Sequence, residues 1–278
     1  MKQPASTQIG DYRITVLSDG KMSASLELLS GIETAEAGKI QQQAGVLEPG
    51  SIHINAYLIQ VHGKTILVDS GTGGRNNVGG ELQQSLHAAG VAPEDIDIIL
   101  LTHAHPDHVG GLLDAEERRV FANAQLYLHP REARYWLDDE KRQQAPERAQ
   151  RNFALARRVL SVYESSLHYL KPDERIEGIR VVELPGHTPG HTGFRVDAQG
   201  HALLIWGDIV HFPHIQTTRP AVSIAFDCDP VQAEATRQKT FRQAFEENLL
   251  IAGMHLGIEG FARLTQRADG YQLIYAEE

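Results

Sequence analysis

Four side chains that can bind a metal fall within six residues in LLTHAHPDHVGGL (residues 100–112): His103, His105, Asp107 and His108. The run continues the apolar IDIILL and so begins at the end of an expected strand. In extended chain, residues two apart point to the same side. His103 and His105 therefore offer two imidazoles to one point, which is half a metal site. Pro106 turns the chain, and Asp107 with His108 adds a carboxylate and a third imidazole, slightly displaced. Gly110 and Gly111 are expected to let the backbone fold tightly beside whatever is bound.

More donors stand after other apolar runs. His187 lies in ELPGHTPGHTGF, Asp208 in LLIWGDIVH and His255 in LLIAGMH. Donors gathered at one rim of a sheet are what a rigid scaffold presents to a site. The seven groups His103, His105, Asp107, His108, His187, Asp208 and His255 exceed the four of a tetrahedral ion. Three can serve each of two divalent ions while one carboxylate bridges. Asp208 suits that task, because a carboxylate has two oxygens and an imidazole one free lone pair. Zinc is the first expectation; iron or manganese suit the same donors. The expected chemistry is hydrolysis: a hydroxide shared by ions about 3.5–4 Å apart attacks a carbonyl or phosphoryl centre. Asp208, or His211 three residues on, passes a proton to the leaving group. Asp69, in ILVDSGTG, either orients a ligand imidazole or caps a turn. His191 is read as loop support. Phe212, Ile215 and Phe226 line a pocket or, more simply, pack a core.

These donors need elements to hold them. YRITVLSDG reads as a strand, and HINAYLIQVHGKTILVDSG as two strands joined by a tight turn at His62 and Gly63. AQLYLH, IRVVELPG and TGFRVDAQGHALLIWGD supply more, with a hairpin turn between Asp197 and Gly200. Helical spacing is seen in GELQQSLHAAG and in the stretch from Pro146 to Leu170. DPVQAEATRQKTFRQAFEEN adds a third helix, with Asp229 as its N-cap. Residues 19–50 are the least regular part and are expected to act as a lid or a dimer contact. The whole, residues 1–278, reads as one α/β domain of two packed sheets with helices outside.

Bulk numbers exclude several classes. With 26 basic and 36 acidic residues the net charge is −10, the wrong sign for holding phosphate backbones, so no nucleic-acid partner is expected. The one cysteine, Cys228, forbids an internal disulfide and suits a reducing compartment. The start of the chain shows no apolar signal segment, and no apolar run could span a bilayer. A cytoplasmic protein with no membrane partner is the expectation; a homodimer is compatible with these numbers.

THAHPDHVGG, PGHTPGHT, the GD pair and the late histidine together resemble the metallo-β-lactamase superfamily. The flanking words are most similar to its methyl parathion hydrolase and acyl-homoserine lactonase branches. The resemblance implies a four-layered αββα sandwich. It assigns His103, His105 and His187 to one ion, and Asp107, His108 and His255 to the other, with Asp208 between. Where the principal lactamase class has a cysteine, this chain has Asp208, which argues against β-lactams. HLGIEGF replaces the HLPFPG usual in the parathion-type relatives, so the pocket wall differs. The expected substrate is a small neutral lactone or ester. No cluster of Arg or Lys flanks the ligand loops, since Arg75, Arg195 and Arg219 are scattered. Phosphotriesters are the nearest alternative. An iron-dependent redox enzyme, or a non-catalytic metal-binding sensor, would share the fold.

Overall fold

Strict alternation in the apolar strands decides how the layers stack. The computed structural model describes residues 4–171, 173–268 and 270–276. In chain order the first eight strands are β1 (Ser6–Ile9), β2 (Tyr12–Ser23), β3 (Leu29–Ser30), β4 (Ser51–Val61), β5 (Lys64–Val68), β6 (Ile98–Leu100), β7 (Gln125–Leu128) and β8 (Leu167–Tyr169). The next eight are β9 (Arg175–Ile176), β10 (Ile179–Glu183), β11 (Thr192–Ala198), β12 (His201–Ile205), β13 (Ser223–Ile224), β14 (Leu250–Ala252), β15 (Phe261–Arg267) and β16 (Gly270–Tyr275). The helices are α1 (Thr34–Gln43), α2 (Leu82–Ala88), α3 (Pro106–Val109), α4 (Pro130–Trp136), α5 (Asp139–Gln144), α6 (Glu147–Val162), α7 (Pro213–Gln216) and α8 (Pro230–Glu246).

One sheet has the order β1-β2-β4-β5-β6-β7-β8 and the other β16-β15-β14-β12-β11-β10-β9. Along β4, Tyr57, Ile59 and Val61 face the second sheet, where Phe194, Val196, Leu203 and Ile205 meet them. Ala56 and Leu58 face the other way, toward Leu86 of α2 and Phe153, Ala156 and Val159 of α6. In the second sheet Leu203 and Ile205 point inward, while Leu204 turns outward onto Phe241 of α8. A period of two thus splits each strand between an inter-sheet core and a helix-covered face. The result is helix, sheet, sheet, helix: the four-layered α/β sandwich expected.

Tyr57 crosses the sandwich. Its hydroxyl oxygen lies 2.6 Å from Gly260 O and 2.9 Å from Gly253 O, and accepts from Gly253 N at 2.9 Å. Burial pushes its phenol far above the ordinary range. The segment after β14 is thereby pinned to the first sheet.

Where the chain turns, local chemistry decides. His62 (φ 49°) and Gly63 (φ 76°) both take positive φ, and Val61 pairs with Lys64, the mirror-image turn that matches strand twist. Gln199 and Gly200 repeat it (φ 52° and 77°) between Ala198 and His201. Asp229 does cap α8, accepting from Gln232 N at 3.0 Å.

Three sequence expectations change. The helix expected to reach Leu170 stops at Val162, because Leu167–Tyr169 pair in parallel with β7 as an edge strand; pairing overrides local periodicity. The opening strand is longer, since β2 runs to Ser23, and β1 precedes it. The hairpin β15–β16 closes the second sheet beyond the last expected strand.

Residues 19–50 are more regular than expected. Asp19, at a bulge in β2, buries its carboxylate under the glycine-rich 71–80 loop. It accepts from Thr72 N, Thr72 Oγ1, Gly80 N and Leu82 N at 2.8–3.0 Å. Leu26, Leu29 and Ala37 share a small core with Phe212, Ile215, Val222 and Ile224, and β3 pairs with β13. Core packing is therefore the role of Phe212 and Ile215.

β5, β6, β7 and β8 are parallel, and β12 is parallel to β14. Sites form beyond the carboxyl ends of such strands. Among the described residues no helix is long and apolar enough to cross a membrane.

Candidate metal centre

Five loops at these carboxyl ends converge. β5 leads to Asp69, β6 to Thr102 and His103, β10 to His187, β12 to Asp208 and β14 to His255. The short helix α3 starts at Pro106 and turns Asp107 and His108 back toward His103.

Two groups of donors result. His103 Nε2 lies 3.0 Å from His105 Nδ1, which lies 2.9 Å from His187 Nε2. Asp107, His108, Asp208 and His255 form the second group. Asp107 Oδ2 is 3.5 Å from His108 Nε2 and 3.6 Å from His255 Nε2. Asp208 Oδ2 joins the groups. It lies 3.0 Å from His108 Nε2, 3.2 Å from His255 Nε2, 3.7 Å from His187 Nε2 and 3.8 Å from His103 Nε2. His211 Nε2 is 3.2 Å from the same oxygen, and its ring stacks on that of His255.

The outer nitrogens fix the tautomers. His108 Nδ1 faces Asp69 Oδ2 at 2.7 Å, His187 Nδ1 faces Asp227 Oδ1 at 2.9 Å and His255 Nδ1 faces His53 O at 2.6 Å. Thr102 Oγ1 donates to Asp69 Oδ2 at 2.6 Å, so at 3.0 Å it accepts from His103 Nδ1. With an ion bound, each of these imidazoles would keep its proton on the outer nitrogen and offer the inner one as a ligand; without one, and against burial, Asp208 and the neighbouring carboxylates hold the His108 and His255 imidazoles above the usual histidine range. Burial first, and neighbouring imidazoles second, hold His103 and His105 well below the usual histidine range. Burial alone would raise the Asp208 carboxyl, but His108, His255 and His211 pull it well below the usual range. Asp208 Oδ1 is buried and has no hydrogen-bond partner among the described residues. Buried imidazole nitrogens crowded around two carboxylates form a set that divalent cations can replace protons in holding together. The donor set therefore fits divalent ions of the zinc, iron or manganese kind.

All seven expected donors are brought together, and His211 with them. Asp69 is the acceptor for His108 rather than only a turn cap. His191 supports the loop as expected: Nδ1 donates to Leu184 O at 2.9 Å and Nε2 accepts from Asp208 N at 2.9 Å. Burial, followed by the neighbouring His187, lowers its pKa to about 3, so it stays a neutral acceptor. Gly110 and Gly111 differ from expectation. They abut backbone rather than the donors: an added Cβ would lie 2.2 Å from Thr72 O and 2.0 Å from Ser70 O respectively.

Sequence reasoning passed over Asp227 and Glu132. Asp227 also takes Ile224 N at 3.3 Å and the buried guanidinium of Arg237 at 3.5 Å. Glu132, on α4, is fully buried. Burial pushes its carboxyl above the usual range, against hydrogen bonds from Thr188, Trp136, Ala104 and Gly190. No short-range motif marks either acid.

A profile of the metallo-beta-lactamase superfamily matches residues 50–255. The probable metallo-hydrolase YqgX of Bacillus subtilis (strain 168) is 27% identical over 166 residues, which are 58% of this chain and 68% of that protein. Among solved structures, the hydrolase AbOPH of the beta lactamase superfamily is 30% identical with a TM-score of 0.92, over 100% of this chain and 99% of its own. The dizinc quorum-quenching lactonase AidC, solved with a homoserine product, is 25% identical with a TM-score of 0.93, over 99% of this chain and 98% of its own.

Proposed function

The chain belongs to the metallo-beta-lactamase superfamily, and from that premise we propose that it is a dinuclear metal-dependent hydrolase of small neutral lactones or esters. One observation carries the reading: a single oxygen, Asp208 Oδ2, stands between the two donor groups, within 3.0–3.8 Å of an imidazole from each. His103, His105 and His187 would hold one ion, Asp107, His108 and His255 the other, and Asp208 both. Divalent ions held there, zinc foremost, supply Lewis acidity for the electrophilic carbonyl and make water a nucleophile at neutral pH.

The protein's own groups do the rest. Asp69 and Asp227 orient His108 and His187, and the Thr102 hydroxyl orients His103. To Asp208 and His211 we assign the passage of a proton to the leaving alkoxide; His211 Nε2 lies 3.2 Å from Asp208 Oδ2. Residues 24–43 pack on the segment that follows His211 and act as the wall, or lid, on that side. The lactone preference draws on the likeness to AidC.

The test is metal analysis of the purified protein together with a panel of lactones, esters, thioesters and phosphotriesters. Two equivalents of metal and turnover led by lactones or esters are expected. Turnover led by phosphotriesters moves the substrate class and keeps the chemistry. A metal-loaded protein that hydrolyses none of them overturns the reading.

A further inference from the structure

Five imidazoles carry the candidate donor nitrogens, and His105 is held differently from the others. His103, His108, His187 and His255 each have an oxygen at the outer nitrogen. His105 instead lies against Trp136, with ring centroids 5.4 Å apart and planes at 75°. That indole is fixed in turn: its Nε1 donates to Glu132 Oε1 at 2.6 Å. The same carboxylate reaches both loops of the three-histidine group. Oε1 accepts from Ala104 N, between His103 and His105, at 3.1 Å. Oε2 accepts from Thr188 Oγ1 at 2.7 Å and Gly190 N at 3.0 Å, in the loop of His187.

We infer that Glu132 is a positioning residue that sets the spacing of His103, His105 and His187, and so the affinity of that half alone for its ion. The inference rests on the two-ion reading above. Its physical basis is the count of lone pairs. Four donors converge on two carboxylate oxygens, two on each, which only an ionised carboxylate satisfies. Glutamine keeps the volume but aims an N–H₂ at two of those donors. One loop must then move relative to the other, and Trp136 loses its anchor. Among the described residues the second donor group, Asp107, His108 and His255, gives no hydrogen bond to Glu132.

Zinc binding to wild type and to Glu132→Gln, followed by competition with a chromogenic chelator, tests this. Wild type should hold two equivalents. In Glu132→Gln one equivalent should weaken about 10–100-fold, the range for losing an outer partner of a metal ligand, while the other stays within about 3-fold. In a His105→Ala background, Glu132→Gln should not further weaken the ion that remains. If Glu132→Gln folds poorly, Trp136→Phe and Thr188→Val each remove one of the four donors and should reproduce the selective loss at a few-fold. Equal weakening of both ions, or of neither, overturns the inference and leaves the two-ion reading standing. A wild type that takes up fewer than two equivalents overturns both.

Discussion

Asp227 Oδ1 lies 2.9 Å from His187 Nδ1, although the two residues are 40 positions apart. The carboxylate selects the tautomer that turns His187 Nε2 inward, and it faces the buried guanidinium of Arg237 at 3.5 Å. Asp227→Ala should lower zinc affinity about 10–100-fold. It should also cost about 1–3 kcal/mol of stability, because Arg237 and Ile224 N lose an acceptor. Chelator competition and urea melts read the two effects separately. Unchanged zinc affinity would refute the orienting role.

His103→Ala combined with Asp208→Ala removes one donor of the first group and the oxygen common to both. Loss of Lewis acidity worth several kcal/mol predicts a fall in lactone turnover of at least ~10³-fold. The circular dichroism spectrum should remain that of a folded α/β protein. Wild-type turnover in the double variant would end the hydrolase reading.

Chelation should abolish activity, and zinc or manganese should restore it. Ions that bind only the native state stabilise it by about 4 kcal/mol each at free metal 1,000 times Kd. Calorimetry should therefore show the melting temperature climbing with metal concentration. A transition indifferent to metal would mean that the donors hold no ion.

Gly111→Ala places a Cβ 2.0 Å from Ser70 O, a backbone atom that cannot swing away. The expected loss is about 3 kcal/mol or more, with inactivation following from displacement of His108. A variant as stable as wild type would show that the 70–72 loop yields freely.

Tyr57→Phe leaves Gly253 N without this acceptor and takes the phenol hydroxyl from Gly253 O and Gly260 O. The cost should be about 1–3 kcal/mol, measured by denaturant unfolding. A neutral result would mean that water or a shifted backbone replaces the phenol.

Much of the site could be read from the chain because its donors come in short words. His103, His105, Asp107 and His108 share one window, and His187, Asp208 and His255 each follow an apolar run that becomes a strand. Alternation along β4 and β12 likewise foretold two covered sheets. Asp227, Glu132 and Asp19 escaped notice for one reason. Each is one of 36 acids, and its meaning lies in partners up to 63 positions distant. The end of α6 is not legible locally, because Leu167–Tyr169 owe their extended form to β7, which no local pattern encodes. For Gly110 and Gly111 the need for a small residue was visible, but the neighbour that enforces it was not.

The first sheet delivers His103, His105, Asp107 and His108, and the second delivers His187, Asp208 and His255. Ions gripped from both sides would act as clasps across the sandwich. Sliding one slab past the other by an ångström or two would unfasten them. On heating, release of metal and parting of the slabs should be one event rather than two.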